Sequence, residues 1–187
     1  IGYFGYAYYQ ENQDILNILN LEGVTPNDTS VEDGSYALAR PLFIYSDASI
    51  MQAKPQVADF INFYLTFVND EIAEVGYFPA SAAALVEAKA AWTAAMGGED
   101  MSMDSSEEMT SLLPMVDPLS ISGDIVTAGS STVFPLTERI AERFQDEGYA
   151  DQITSQSSGT DAGFKRFCDA GETDISNASR AIKEEEI

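Results

Sequence analysis

The chain has 187 residues, 45% of them apolar and 21% charged, enough for one ordinary domain or two small ones and too apolar to be disordered throughout. Its 31 acidic residues against 9 basic ones give a formal net charge of -22, a field that repels nucleic acid and anionic lipid. Histidine is absent, the single cysteine (Cys168) excludes an internal disulfide and a thiolate zinc cage, and no apolar run approaches the roughly 20 residues that span a bilayer.

Ile1-Gly2-Tyr3-Phe4 has neither an initiator methionine nor a basic segment leading into an apolar one, so no signal peptide is expected and both termini are expected to be ends of a fragment or processed product. Residues 2–9 are aromatic and β-prone, and a short helix carrying Ile15, Leu16 and Leu19 should follow. Thr25-Pro26-Asn27-Asp28 marks a turn, and residues 36–45 read as a strand in which Pro41 demands an edge position or a break. Pro55 suits the first turn of a helix carrying Val57, Phe60, Ile61, Tyr64, Leu65 and Val68; apolar residues lie almost all round it, which implies deep burial. Ser81 is placed to cap a last, alanine-rich helix through Trp92.

Residues 96–122 hold five of the six methionines, six acids and the pair Gly97-Gly98, and show neither helical nor strand periodicity. They read as an exposed, acidic, mobile linker closed by Pro114 and Pro118, with a methionine-rich docking surface as the alternative. The linker separates residues 1–95 from residues 123–187.

The C-terminal part alternates. Ile125-Val126-Thr127-Ala128 reads as a strand, Leu136, Ile140 and Phe144 as one stripe of a helix, and residues 152–155 as a second strand. Phe164, Phe167 and Cys168 mark the buried face of another helix, and residues 174–178 a third strand. This β-α-β-α-β order implies a parallel sheet in a layered α/β fold.

In such a sheet the loops at the carboxyl ends of the strands share one edge, where helix N-termini also point. Three such loops here, residues 129–133, 157–161 and 178–180, are rich in small hydroxyl residues, and Arg180 is their only cation. Hydroxyls, free helix amides and the helix dipole suit a tetrahedral oxyanion, and arginine is a bidentate donor to one. Any one loop alone would read as an ordinary helix cap.

Other groups carry less. Cys168 lies four residues from Phe164 on an apolar face and reads as a buried inert thiol. Glu99, Asp100, Asp104, Glu107 and Glu108 lack the spacing of a calcium loop and read as a solvated charge run. Tyr3, Phe4, Tyr6, Tyr8 and Tyr9 read as packing residues. Without histidine no serine has its usual activating base, and Lys165 and Lys183 stand in no substituting motif, so neither catalysis, nor a cofactor, nor a metal is expected.

Three segments carry a resemblance: Gly129-Ser130-Ser131-Thr132-Val133-Phe134-Pro135, Ser157-Ser158-Gly159-Thr160-Asp161-Ala162-Gly163-Phe164 and Asp174-Ile175-Ser176-Asn177-Ala178-Ser179-Arg180. In order and spacing they resemble the opening of the phosphate ABC transporter substrate-binding proteins, extracytoplasmic two-lobed receptors of the type II solute-binding fold. Residues 1–9, Arg40-Pro41-Leu42-Phe43-Ile44-Tyr45, Lys54-Pro55-Gln56-Val57 and residues 85–92 resemble the end of the same family. The order is therefore tail, linker, head, as at the junction of tandem receptor units or in a circular permutant of one lobe.

The resemblance implies a three-layer α/β sandwich with a mainly parallel sheet, a lobe built by packing residues 1–95 against 123–187, or the same contacts made by exchange between two chains. It implies binding of inorganic phosphate by Ser131, Thr132 and the Val133 amide, by Ser157, Ser158 and Gly159, and by Ser179 and Arg180. Ser179 stands where some members carry an aspartate. It also implies an ABC permease as partner of the full-length parent, an extracytoplasmic location, and a second lobe whose donors have no counterpart in this sequence. Two other readings remain: an interaction or scaffold module that keeps the fold, and an enzyme of phosphate esters.

Overall fold

Short strands join both halves of the chain into one sheet in the computed structural model, which describes residues 6–98 and 113–187. In chain order the elements are α1 (Tyr6–Glu11), α2 (Asp28–Glu32), β1 (Phe43–Tyr45), α3 (Ala48–Ala53), α4 (Pro55–Glu71), α5 (Ala82–Ala95), β2 (Ile125–Gly129), α6 (Phe134–Asp146), β3 (Ile153–Ser157), α7 (Thr160–Phe164) and β4 (Ile175–Ala178). Single 3-10 turns occur at Pro118–Ser120 and Glu184–Glu186, and a π-helical turn at Lys165–Asp169 continues α7.

The sheet order is β1-β4-β2-β3. β2 pairs in parallel with both β3 and β4, whereas β1 lies antiparallel against β4, with Phe43 opposite Ala178 and Tyr45 opposite Ser176. Side chains alternate across the sheet. Ile125 and Ile175 face the core made with α4 and α6, while Ser176 lies on the opposite face, beneath Gly163 of α7. Helices thus cover both faces of a mixed, mainly parallel sheet, the layered α/β architecture expected from the element order.

The apolar surround of α4 has the expected consequence: Val57, Phe60, Phe63 and Tyr64 are almost wholly inaccessible. Phe144 of α6 sits among them, its ring 5.4 Å from Phe60, 4.9 Å from Phe63 and 4.8 Å from Tyr149, in edge-on and tilted contacts that suit ring quadrupoles. Pro55 opens α4, Ser81 caps α5 through the Ala84 amide, and Trp92 of α5 donates its indole N–H to the Ala58 carbonyl at 2.9 Å.

Polar ties run between the same halves. The buried Glu71 carboxylate at the end of α4 accepts from Arg139 Nε at 2.7 Å and from Arg143 Nη1 at 2.8 Å, both on α6. Arg143 also lies over the Phe67 ring, its guanidinium carbon 3.8 Å from the centroid. Lys54 reaches the buried Asp174 at 2.6 Å, and the second oxygen of that carboxylate accepts from the Val126 amide at 2.9 Å.

Several local expectations need correction. The strand expected over residues 36–45 is confined to Phe43–Tyr45, because Pro41 supplies no N–H to a ladder and residues 36–39 close a turn instead. The aromatic opening is helical from Tyr6, where Tyr6 meets Tyr9 one turn on (5.7 Å) and Phe78 (4.3 Å); Tyr3 and Phe4 lie outside the described residues. The helix expected around Ile15, Leu16 and Leu19 does not form, and Ile15 and Leu19 are exposed. Of the expected exposed linker, residues 99–112 lie outside the described residues, but Leu113, Val116 and Ile121 pack against the core, and Asn62 holds the Pro114 carbonyl at 3.0 Å.

The shared carboxylate at Glu71 gives a test of these ties. Glu71→Ala leaves two arginines, one of them stacked and half-buried, without their common partner, and is expected to lower stability by about 2 kcal/mol in urea denaturation. Asp70→Asn and Glu74→Gln, whose carboxylates are mostly exposed, should each change it by no more than about 0.5 kcal/mol.

Candidate functional site

The carboxyl ends of β2, β3 and β4 and the amino end of antiparallel β1 all lie at one edge of the sheet. Gly129 ends β2 with φ of 144°, and a Cβ there would collide with the Asn177 carbonyl oxygen. That carbonyl instead accepts from the Ser130 amide at 2.8 Å, so the first loop is fastened to the end of β4. The Gly129 carbonyl accepts from both the Ser158 amide (3.0 Å) and the Gly159 amide (2.8 Å), fastening the second loop to the first. Thr160 Oγ1 accepts from the Ser179 amide at 3.2 Å and lies 3.3 Å from Ser179 Oγ, fastening the third to the second. Gly163 completes the packing: a Cβ on it would stand 2.6 Å from the Gly129 Cα, so only glycine lets α7 approach β2 this closely.

The sequence-identified residues fall into two groups along this edge. Ser131 and Thr132 are exposed, Val133 is buried, and no side chain caps α6. The Thr132 amide is occupied by Ser130 Oγ at 3.1 Å, and the Thr132 carbonyl accepts from the Tyr77 hydroxyl at 3.0 Å. The amides of Ser131 and Val133 have no acceptor among the described residues. Ser157 ends β3 with an exposed side chain. Ser158, Gly159, Ser179 and Arg180 form the second group and, with Arg40, Thr160, Asp161 and Ala162, line an open cleft of about 470 Å³. Ser131, Thr132, Val133 and Ser157 do not line it, and the amides of Ser158 and Gly159, spent on Gly129, are not free donors there.

Arg180 is bound in place by the chain itself. It pairs with Asp161 and, through Nη1 and Nη2, with both oxygens of Glu186 at 2.8 and 2.6 Å; Nη1 also donates to the Ala181 carbonyl at 3.0 Å. Hydrogen bonds to Glu186 first and Asp161 second raise its pKa further above the usual arginine value, while the Glu186 carboxyl is pulled down to about 2, chiefly by the same bond. Tyr45 of β1 steadies the segment that follows, its hydroxyl accepting from the Ile182 amide at 3.1 Å.

Arg40, like Thr160, Asp161 and Ala162, lines the cleft without standing among the donors named from the sequence, and it is the cation of the four. Its signal was available, since it is the sole basic residue before Lys54 and opens the Arg40-to-Tyr45 motif, but its distance along the chain from the hydroxyl loops hid its position.

Cys168 lies half-buried in the π-helical turn, its thiol pushed up by burial first and by Asp169 and Glu186 next, as suits an unreactive group. Lys183 pairs with Glu185 at 3.7 Å, and Lys165 is exposed. No cluster that could hold a metal occurs among the described residues; the acidic run from Glu99 to Glu108 lies outside them.

No protein-family model matches the chain. It is 47% identical over 78 residues to the protein SphX of Synechococcus elongatus, covering 42% of this chain and 23% of that protein. It is 36% identical over 85 residues to the phosphate-binding protein PstS of Staphylococcus aureus, covering 43% and 26% respectively. The chain is related over part of its length to phosphate-binding proteins. It spans about a quarter of the curated relatives it matches. In fold it is similar to a phosphate-binding protein of a phosphate ABC transporter from Streptococcus pneumoniae, with a TM-score of 0.58 and 22% identity over 91% of this chain and 54% of that one.

Three outcomes are expected from this geometry. Gly129→Ala should lower stability by about 3 kcal/mol in urea denaturation, since backbone strain adds to a clash with a fixed carbonyl. Gly159→Ala, with φ of 87° and ψ of 151° but open space, carries the backbone strain without the clash and should cost less, about 2 kcal/mol. Because the folded Glu186 carboxyl titrates below its ordinary 4.5, its bonds to Arg180 are complete above that pH and lost as pH falls towards 2. Amide exchange measured by NMR should therefore show the segment after Arg180 losing protection over that window.

Proposed function

We propose that this chain is part of the phosphate-capturing component of an ABC importer working outside the cytoplasmic membrane, and that it acts by binding, without catalysis. Residues 1–95 and 123–187 form one lobe of the receptor, joined by residues 96–122. A second lobe, supplied from outside these 187 residues, closes over the anion, and the longer parent delivers it to the permease. No described helix is long and apolar enough to cross a membrane.

The observation that carries the reading is the meeting of three hydroxyl-bearing loops at one sheet edge, with the Ser131 and Val133 amides lacking an acceptor among the described residues beside the start of α6. A tetrahedral oxyanion needs donors from several directions, and a protein of net charge -22 must supply them as oriented local dipoles. In this reading Ser131, Thr132 and the Val133 amide hold one side of phosphate. Ser157, Ser158 and Gly159 border it, and Ser179, on the loop that Arg180 holds in place, closes the third side. The relationship to proteins named as phosphate-binding supports the choice of anion.

A lone lobe lacks the second donor set and the exclusion of water that closure brings, so its affinity should be low. Calorimetry of this chain at low ionic strength is expected to give a Kd for inorganic phosphate of about 1 mM or weaker. Thr132→Val should weaken binding about tenfold, the order expected for one hydrogen bond to a charged group. Submicromolar binding by the chain alone would overturn the half-site argument.

One observation favours the second reading, an interaction module that retains the fold: Arg180 already carries the carboxylates of Asp161 and Glu186. Under that reading phosphate gives no heat at any accessible concentration.

A further inference from the structure

Resting on the phosphate reading, we infer that Arg40, rather than Arg180, is the cation that meets the anion's charge at this cleft, and that Arg180 is a positioning residue. Each terminal guanidinium nitrogen of Arg180 makes two hydrogen bonds, Nη1 to Glu186 and the Ala181 carbonyl, Nη2 to Glu186 and Asp161. An amino group has two N–H donors, so all four are spent. Only the Nε–H is left without an acceptor among the described residues, so an incoming anion can use the Nη pair of Arg180 only by displacing an internal acceptor, and the charge it meets there is already more than balanced by two acids. What Arg180 does accomplish is to tie the start of α7, through Asp161, to the segment after β4.

Arg40 differs in each respect. It lines the same cleft, is exposed, and has no ion pair or hydrogen bond among the described residues. Lys54, Arg139, Arg143, Arg166, Arg180 and Lys183 all carry a carboxylate partner. Lys89 and Lys165 carry none among the described residues but do not line the cleft. Arg40 is thus the one cation of this cleft, among the described residues, with its full donor fork and its charge available.

Its position follows from topology. β1 runs antiparallel to β4, with Phe43 opposite Ala178, so the residues that precede β1 stand beside the loop that follows β4. A parallel β1 would carry Arg40 to the far edge. Pro41, with its fixed φ and missing N–H, keeps Arg40 out of the ladder and at the rim. Across the cleft the hydroxyls of Ser158, Thr160 and Ser179 supply neutral donors to the same guest. A guanidinium fork matches two oxygens of phosphate in a way an ammonium does not.

The test is a calorimetric titration of the whole chain with inorganic phosphate at two or more salt concentrations. The variants are Arg40→Gln, Arg40→Lys and, as a charge control, Lys89→Gln on α5. Arg40→Gln is expected to weaken binding at least about tenfold and to flatten its salt dependence, because one solvent-exposed, salt-screened charge contact is removed. Arg40→Lys should recover part of the affinity and the salt slope, and Lys89→Gln should match the unaltered chain within about twofold, since a distant charge is screened. Binding indifferent to Arg40, or reduced equally by Lys89→Gln, overturns this assignment alone. Absence of phosphate binding by the unaltered chain defeats the phosphate reading itself.

Discussion

Three residues of antiparallel pairing, Phe43, Ile44 and Tyr45 against Ala178, Asn177 and Ser176, hold the rest of this structure in register. The pairing attaches a strand from the first half of the chain to a sheet whose other strands all come from the second. Once β1 is fixed there, α4 lies against α6, Lys54 reaches Asp174, Tyr45 reaches the Ile182 amide, and Arg40 arrives at the loop edge. So short a ladder is weak by itself. It persists because α4 contributes a fully buried face and because Glu71 and Asp174 each bond across the same junction.

The charge of this protein shapes how its few cations are used. With 31 acids, a basic side chain finds a carboxylate almost wherever it lies, and most of the described ones do. Arg139 and Arg143 close a helix interface, and Arg166 and Arg180 fasten loops. Anion binding in such a molecule falls to groups whose donors have no internal partner: backbone amides in turns, hydroxyls, and a cation placed beyond the reach of acids. Glycine makes the turns possible. Gly129 and Gly163 let backbone meet backbone where any Cβ would hold the loops apart, so that one carbonyl, that of Gly129, organises two loops.

Much of the framework was legible in residue patterns. The stripe Leu136, Ile140 and Phe144 and the apolar surround of Val57, Phe60 and Tyr64 gave helices where they occur, because a helical face is encoded within a few turns of chain. Alternation of short apolar runs with polar loops gave the parallel strands. Patterning failed where the deciding contact is distant in sequence. Tyr6 became helical against Phe78, and Leu113, Val116 and Ile121 found the core despite acidic and methionine-rich surroundings. The state of Arg180 was equally hidden: the residue was visible, but nothing local says that Asp161 and Glu186 occupy it.

By itself the sequence determined the layered α/β class, the hydroxyl composition of three loops, the absence of histidine chemistry and the kinship with phosphate-binding proteins, since all of these reside in residue identity and short-range spacing. Only the tertiary structure decided which amides remain open, which arginine is bound and which is free, and that a residue from the first half of the chain borders loops from the second. Those facts depend on strand direction and on competition among many acids for few bases, and no local segment contains that information.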